Sequence, residues 1–373
     1  MESPPFWLYI VGFLLVLGPL VTLHELGHYL VGRWFGVEAE AFSIGFGKEL
    51  WGYTDRRGTR WKLSALPLGG YVQFKGDMNP ASVPDRATQA ARPQRDGTFQ
   101  NAPLWQRTLI VAAGPAVNIV ITLAIFAGFF MAVGKPVAQA PEQQLTVAAF
   151  SADSPARAAG MMAGDRIVAI DGKRVRDFRE LQGAVMLYPG KRLAVTIERA
   201  GAERTLAVTA ASEDETDRFG NVSRIGRIGV SPAGASFAFE RQGPLTSVAL
   251  AGHYSVDIVR MMATGIGQIL SGERSVKELG GPVKIAKFSG EQLSLGPLAF
   301  INFVALISLN LAFINLLPIP GLDGGHLAFY AAEGIRRKPV GPRGLELAYR
   351  TGMALVLMLM LFVTFNDLVS LVG

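Results

Sequence analysis

The sequence predicts a polytopic α-helical membrane protein: four transmembrane helices, a membrane-associated β-hairpin or small sheet, and an inserted α+β domain. Three observations predict it. Half of the 373 residues are hydrophobic, a high share for a soluble chain. Four runs of roughly 15 to 25 residues carry few or no charges, the length a bilayer core requires. Between the second and third runs lies a long polar stretch in which strand and helix patterns alternate.

The first run covers residues 6–29, uncharged until His24. The preceding residues lack a basic stretch and a small-residue cleavage site, so the run is expected to be a retained span. Residues 38–75 alternate like strands, with "TDRRGT" as the turn. Residues 78–101, rich in Pro, Arg, Gln and Asp, are expected to be a flexible loop. The second run is 108–134. A compact unit follows from about 145 to 211: a short helix, a turn at Gly164-Asp165, a strand, a turn at Asp171-Gly172, an amphipathic helix, and a hairpin turning at Ala200-Gly201. The third run lies within 293–322 and the fourth is 351–371, broken only by Asp367. The expected organisation is therefore 1–34, first span; 35–106, cytoplasmic loop with membrane-associated strands; 107–134, second span; 140–212, α+β domain; 213–292, linker and membrane-surface helices; 293–333, third span; 334–373, cytoplasmic loop and fourth span.

Net charge is +6, yet Lys and Arg are scattered among acids, with no basic helix. Nucleic acid is not an expected partner; the lipid bilayer is. The excess sits beside the spans. Eleven Lys and Arg fall between Arg33 and Arg107, and Arg336, Arg337, Lys338, Arg343 and Arg350 precede the fourth span. The positive-inside rule places both loops in the cytoplasm and both termini outside. There is no cysteine, which excludes disulfides, thiolate ligands and cysteine nucleophiles.

"HELGH" at residues 24–28 ends the first apolar run. His24 and His28 are four residues apart, so one helical face presents both imidazoles to one point. Glu25 is adjacent to that face. This is the spacing in which two histidines hold Zn2+ and the glutamate acts as general base. A catalytic zinc takes a third protein ligand and keeps an open position. Asp323 in "NLLPIPGLDGGH" is the candidate, because Pro-x-Pro breaks the third span before it and the following glycines let the backbone turn inward. His326, nearby, is ranked below it. Zn2+ against ionised Glu25 and Asp323 leaves the set close to neutral, which a buried site demands. Both ligand groups lie near the C-terminal ends of their spans, so the spans must run parallel with one span between them. The apolar stretch 244–270, with His253, Asp257 and Arg260, then lies on the membrane surface rather than across it.

"HELGHYLVGRWFGV", "FSIGFGKELW", "PLGGYVQFKGD", "AGPAVNIV", "SPARAAGMMAGDRIVAIDGKRV" and "NLLPIPGLDGGHL" occur in that order and span nearly the whole chain. Together they resemble the site-2 protease family of intramembrane zinc metalloproteases, and most closely the bacterial members related to RseP, here with one PDZ domain rather than two. The resemblance implies Zn2+ on His24, His28 and Asp323, with Glu25 activating water. It implies that the α+β domain is a periplasmic PDZ domain of the circularly permuted kind, acting as a size gate. It also implies a bacterial inner-membrane endopeptidase of single-pass membrane proteins, anti-sigma factors or remnant signal peptides among them. Strands around residues 42–47, with Gly45, Phe46 and Gly47, and around 61–71 would pair with an unwound substrate, plain sheet packing being the other reading, and Asn310 and Asn315 would bond its backbone. Helix–helix contact is the other reading of Asn310, and Asn118 in "GPAVN" carries the same ambiguity. The alternative function is a membrane-tethered PDZ scaffold with a structural metal. A metal transporter would need a trail of polar residues across the bilayer, which the spans lack.

Overall fold

A computed structural model describes residues 4–76, 97–217, 219–234, 236–338 and 341–372. The chain divides into two compact units, one formed by residues 128–247 and the other by the segments on either side of it.

Helix α1, Phe6–Trp34, has 29 residues. At 1.5 Å per residue that is roughly 44 Å, longer than a hydrocarbon core. Strands β1, Ala39–Thr54, and β2, Arg60–Phe74, form the antiparallel hairpin expected at 38–75, turning at residues 55–59. The hairpin curls on itself. Ala41–Ile44 has Gln73 to Gly70 on one side, and Arg60 to Leu63 on the other. Asp55 holds the turn: its carboxylate accepts from the amides of Arg57 and Thr59, from the Trp61 indole and from the Tyr29 hydroxyl of α1. Phe42 and Phe74 pack with Tyr29, Ile110 and Val111, so the sheet is fastened beneath the end of α1. Of the loop expected at 78–101, residues up to 96 lie outside the described residues; Phe99–Asn101 is a 3-10 turn. Helix α2, Leu104–Ala132, follows, with Pro115 inside it.

The second unit is built from β3 (Lys135–Ala138), α3 (Pro141–Leu145), β4 (Val147–Phe150), α4 (Pro155–Ala158), β5 (Arg166–Ile170), β6 (Lys173–Arg174) and α5 (Phe178–Met186). Strands β7 (Arg192–Arg199), β8 (Ala202–Thr209), β9 (Ala211–Thr216), β10 (Val222–Arg227), β11 (Val230–Pro232) and β12 (Phe237–Glu240) complete it. A four-stranded sheet in the order β6-β5-β7-β8 packs Ile167, Val195 and Ile197 against Leu181 and Val185 of α5. The turns at 164–165, 171–172 and 200–201 fall as expected. Beyond 212, however, the chain is not a linker: β11 pairs with β4, β12 pairs with β3, and Ile228 enters the core. Those short strands carry no strong alternation of their own and complete edges left by residues 80 or more positions earlier. Arg199 makes a two-pronged bond to the buried Asp165 and holds its carboxyl below the usual range.

The chain returns to the first unit through α6, Pro244–Leu270, then α7 (Pro282–Ser294), α8 (Pro297–Asn315), α9 (Asp323–Arg336) and α10 (Pro342–Val372). Among the described residues, four helical stretches are long and apolar enough to cross a membrane: Phe6–Trp34, Leu104–Ala132, Pro297–Asn315 and Gly344–Val369. The expected third span, 293–333, is thus two helices. It breaks at 316–322 around Pro318 and Pro320, and Asp323 opens α9 rather than closing α8. Helix α7 packs on α1 at close range, since a methyl at Gly12 would meet the Ser289 carbonyl carbon at 2.7 Å. Asp367, near the end of the last span, caps α7 by accepting from the amides of Gly281 (3.0 Å) and Lys284 (2.9 Å).

Candidate metal centre

His24 and His28 sit one turn apart on α1 and are buried. Their Nε2 atoms are 3.2 Å apart. Asp323 reaches them from the first position of α9, with Oδ2 3.1 Å from His24 Nε2 and Oδ1 3.6 Å from His28 Nε2. Ligand atoms at about 2.05 Å around a tetrahedral ion stand about 3.3 Å from each other, so three groups separated by 3.1 to 3.6 Å match one face of such a shell. Among the described residues these three form the one group of His, Asp or Glu placed to hold an ion. Asp323 Oδ2 is buried against His24 Nε2, and that nitrogen carries no hydrogen to give it when the imidazole is a neutral ligand; a buried carboxylate oxygen in that condition is costly unless a cation faces it. The donor set of two imidazoles and a carboxylate suits zinc.

Helix α2 supplies the floor. His28 Nδ1 donates to the Ile110 carbonyl at 2.8 Å, which leaves Nε2 with its lone pair toward the centre. Pro115 lacks an amide hydrogen, so the carbonyl of Val111, four residues before it and next to Ile110, has no helical donor. Gly114 is the point of closest approach: a methyl there would lie 2.2 Å from His28 Nε2 and 2.8 Å from His24 Cε1. Asn118 is wholly buried, with its amide nitrogen 3.2 Å from His24 Nδ1.

Glu25 lines the same cavity, of about 300 Å³, and its Oε2 accepts from the Val72 amide at 3.2 Å. The hairpin therefore positions the carboxylate. Gly70, Tyr71, Val72 and Phe46 form the cavity wall on that side, and Leu311, Asn315 and Leu322 the other. His326 also lines it, with Nδ1 2.6 Å from the Tyr349 hydroxyl.

The structure thus brings together His24, Glu25, His28, Asp323, Asn315 and Phe46. Gly45 and Gly47 flank Phe46 with φ of +90° and +88° but do not line the cavity, and neither does Asn310. Ile110, Gly114 and the inward placement of Asn118 escaped the sequence reading. The Gly114-Pro115 pair inside an apolar helix was the available signal, because such a pair marks close approach and an opened helix.

The profile of peptidase family M50 matches residues 12–359. The chain is 43% identical over 369 residues to an Agrobacterium fabrum protein named "Putative zinc metalloprotease Atu1380", covering 98% of this chain and 97% of that one. It is 34% identical over 387 residues to "Metalloprotease MmpA" of Caulobacter vibrioides, covering 97% and 96%. A solved PDZ domain of an SdrC-like protein from Listeria monocytogenes aligns with 26% of the chain at 18% identity and a TM-score of 0.20, too weak a likeness to carry a fold. Matched along nearly its whole length, the chain belongs to peptidase family M50.

Proposed function

We propose that the protein is a zinc-dependent endopeptidase that cleaves single-pass membrane proteins within the bilayer. The observation that carries this is the triangle of His24, His28 and Asp323 at 3.1 to 3.6 Å, with Glu25 in the same cavity. A Zn2+ ion held there supplies a Lewis acid that polarises a peptide carbonyl and acidifies a water molecule.

The protein's own groups do the rest. Glu25 takes the proton from water and returns it to the leaving amine, held at the right edge of the cavity by the Val72 amide. A helical substrate hides its carbonyls in backbone bonds and must unwind. The strand 70–74 beside the cavity offers backbone groups to the extended segment, with Phe46 and Tyr71 against its side chains. Asn315 donates from the opposite wall to a substrate carbonyl. The inserted unit, residues 135–240, acts as a PDZ domain on the periplasmic side of a bacterial inner membrane, both termini lie on that side, and α6 rests on the membrane surface. Anti-sigma factors and remnant signal peptides are the proposed substrates.

Glu25→Gln tests the reading. The variant is expected to keep one zinc per chain and to cleave a co-expressed single-pass reporter about 10² to 10⁴-fold more slowly, the usual share of a general base. Full cleavage by the variant would overturn the general-base mechanism, whereas a tethered scaffold with a structural metal would leave the reporter uncut by the wild-type protein as well.

A further inference from the structure

His28 and His24 face one stripe of α2, formed by Ile110, Gly114 and Asn118 at intervals of four residues. Ile110 settles the tautomer of His28, because a carbonyl can only accept and so Nδ1 carries the hydrogen. His24 has no carbonyl in the corresponding place. The group at its Nδ1 is the side-chain amide of Asn118, which can present either a donor or an acceptor. With its nitrogen toward the ring at 3.2 Å, Asn118 leaves its own Oδ1 buried and without a partner. A ligand Nε2 needs its lone pair, which places the hydrogen of His24 on Nδ1, so that orientation would set N–H against N–H. Rotating the amide by half a turn brings Oδ1 to Nδ1 and removes the conflict at no cost in volume.

We propose that Asn118 is a positioning residue for His24: its side-chain oxygen accepts the Nδ1 hydrogen and holds the ring with Nε2 toward His28 and Asp323. The proposal rests on those three residues being the ligands. The backbone at this point is independently fixed. The Asn118 carbonyl accepts from the Thr122 hydroxyl at 3.0 Å and from the Ser308 hydroxyl of α8 at 2.9 Å. The amide side chain is therefore not what joins the helices, and replacing it leaves those two bonds in place. One helix thus sets both imidazoles, with a main-chain oxygen for one and a side-chain oxygen for the other.

The test is zinc affinity by chelator competition on the purified full-length protein, wild type against Asn118→Leu and Asn118→Asp. Wild-type protein that takes up no zinc would overturn the ligand reading itself, which separates that failure from this one. Given wild-type binding, Leu, of similar size without an acceptor, is expected to weaken affinity about 10- to 100-fold. Asp, which only accepts, is expected to hold it within about threefold or tighten it. A Leu variant at wild-type affinity would overturn the proposal, as would a tenfold or greater loss with Asp, the result required if the nitrogen were the working atom. Should the Leu variant not fold, the Asp variant decides alone. Imidazole nitrogen resonances provide the second readout, tractable with four histidines in the chain. In the zinc-loaded wild type the Nδ1 hydrogen of His24 should exchange slowly with water, and in the Leu variant quickly; equal rates would count against Asn118.

Discussion

Position 114 shows how little room the centre has. A Cβ there would fall 2.2 Å from His28 Nε2 and 2.8 Å from His24 Cε1, against two rings that are themselves buried. Gly114→Ala is expected to push both imidazoles out of line and weaken zinc binding by at least tenfold, while leaving the inserted unit intact; calorimetric titration of the folded variant checks it. At this scale the geometry was legible where the neighbours are local. His24 and His28 share a face because four residues make about one helical turn, and Glu25 follows from adjacency. Gly114, Ile110 and Asn118 were not legible in the same way, because their duty depends on which face of α2 docks against α1. That choice is made by surfaces 82 to 94 residues apart in sequence. Asp323 stands between these cases: Pro-x-Pro announced a break, and the direction from which the carboxylate arrives came only with the start of α9.

Among the elements, the helices that bring the ligands together are tied by polar contacts in apolar surroundings. Arg107 of α2 bonds Glu333 at 2.9 Å and covers the Tyr330 ring, clamping α9 to the start of α2. Asp367 joins α10 to the first turn of α7, where the free amides of a helix start would otherwise lack partners. Asp367→Ala is expected to cost about 1–2 kcal/mol, the range of a lost N-cap. It should speed amide exchange at Gly281 and Lys284 before any other helix; unchanged exchange at those two amides would refute the capping role. In the sequence Asp367 was only an isolated charge in a Leu- and Met-rich span, because its partner amides lie more than 80 positions earlier. The hairpin was legible from its alternation and its "TDRRGT" turn. Its curl, which puts Ala41–Ile44 between two stretches of β2, was not, since it depends on bulges that leave no simple period.

For the whole molecule, four apolar helices and one inserted unit could be read directly from hydropathy and turn residues, because both patterns repeat within a window of a few turns. The unit's true extent could not: β11 and β12 are recognisable only through the strands they join, β4 and β3. The proposed orientation can be checked on a chain without native cysteine. Single cysteines at Arg57, in the hairpin turn, and at Asp153, exposed in the inserted unit, suffice. A membrane-impermeant maleimide added to spheroplasts is expected to label position 153 at once and position 57 only after permeabilisation. The opposite pattern would invert the assignment.

The strand that begins the inserted unit, Lys135–Ala138, hydrogen-bonds to the strand that ends it, Phe237–Glu240. The points where the chain enters and leaves that unit are therefore neighbours. Under the proposed gating role, exchanging the module held between those two strands is expected to change what is admitted separately from what is cut.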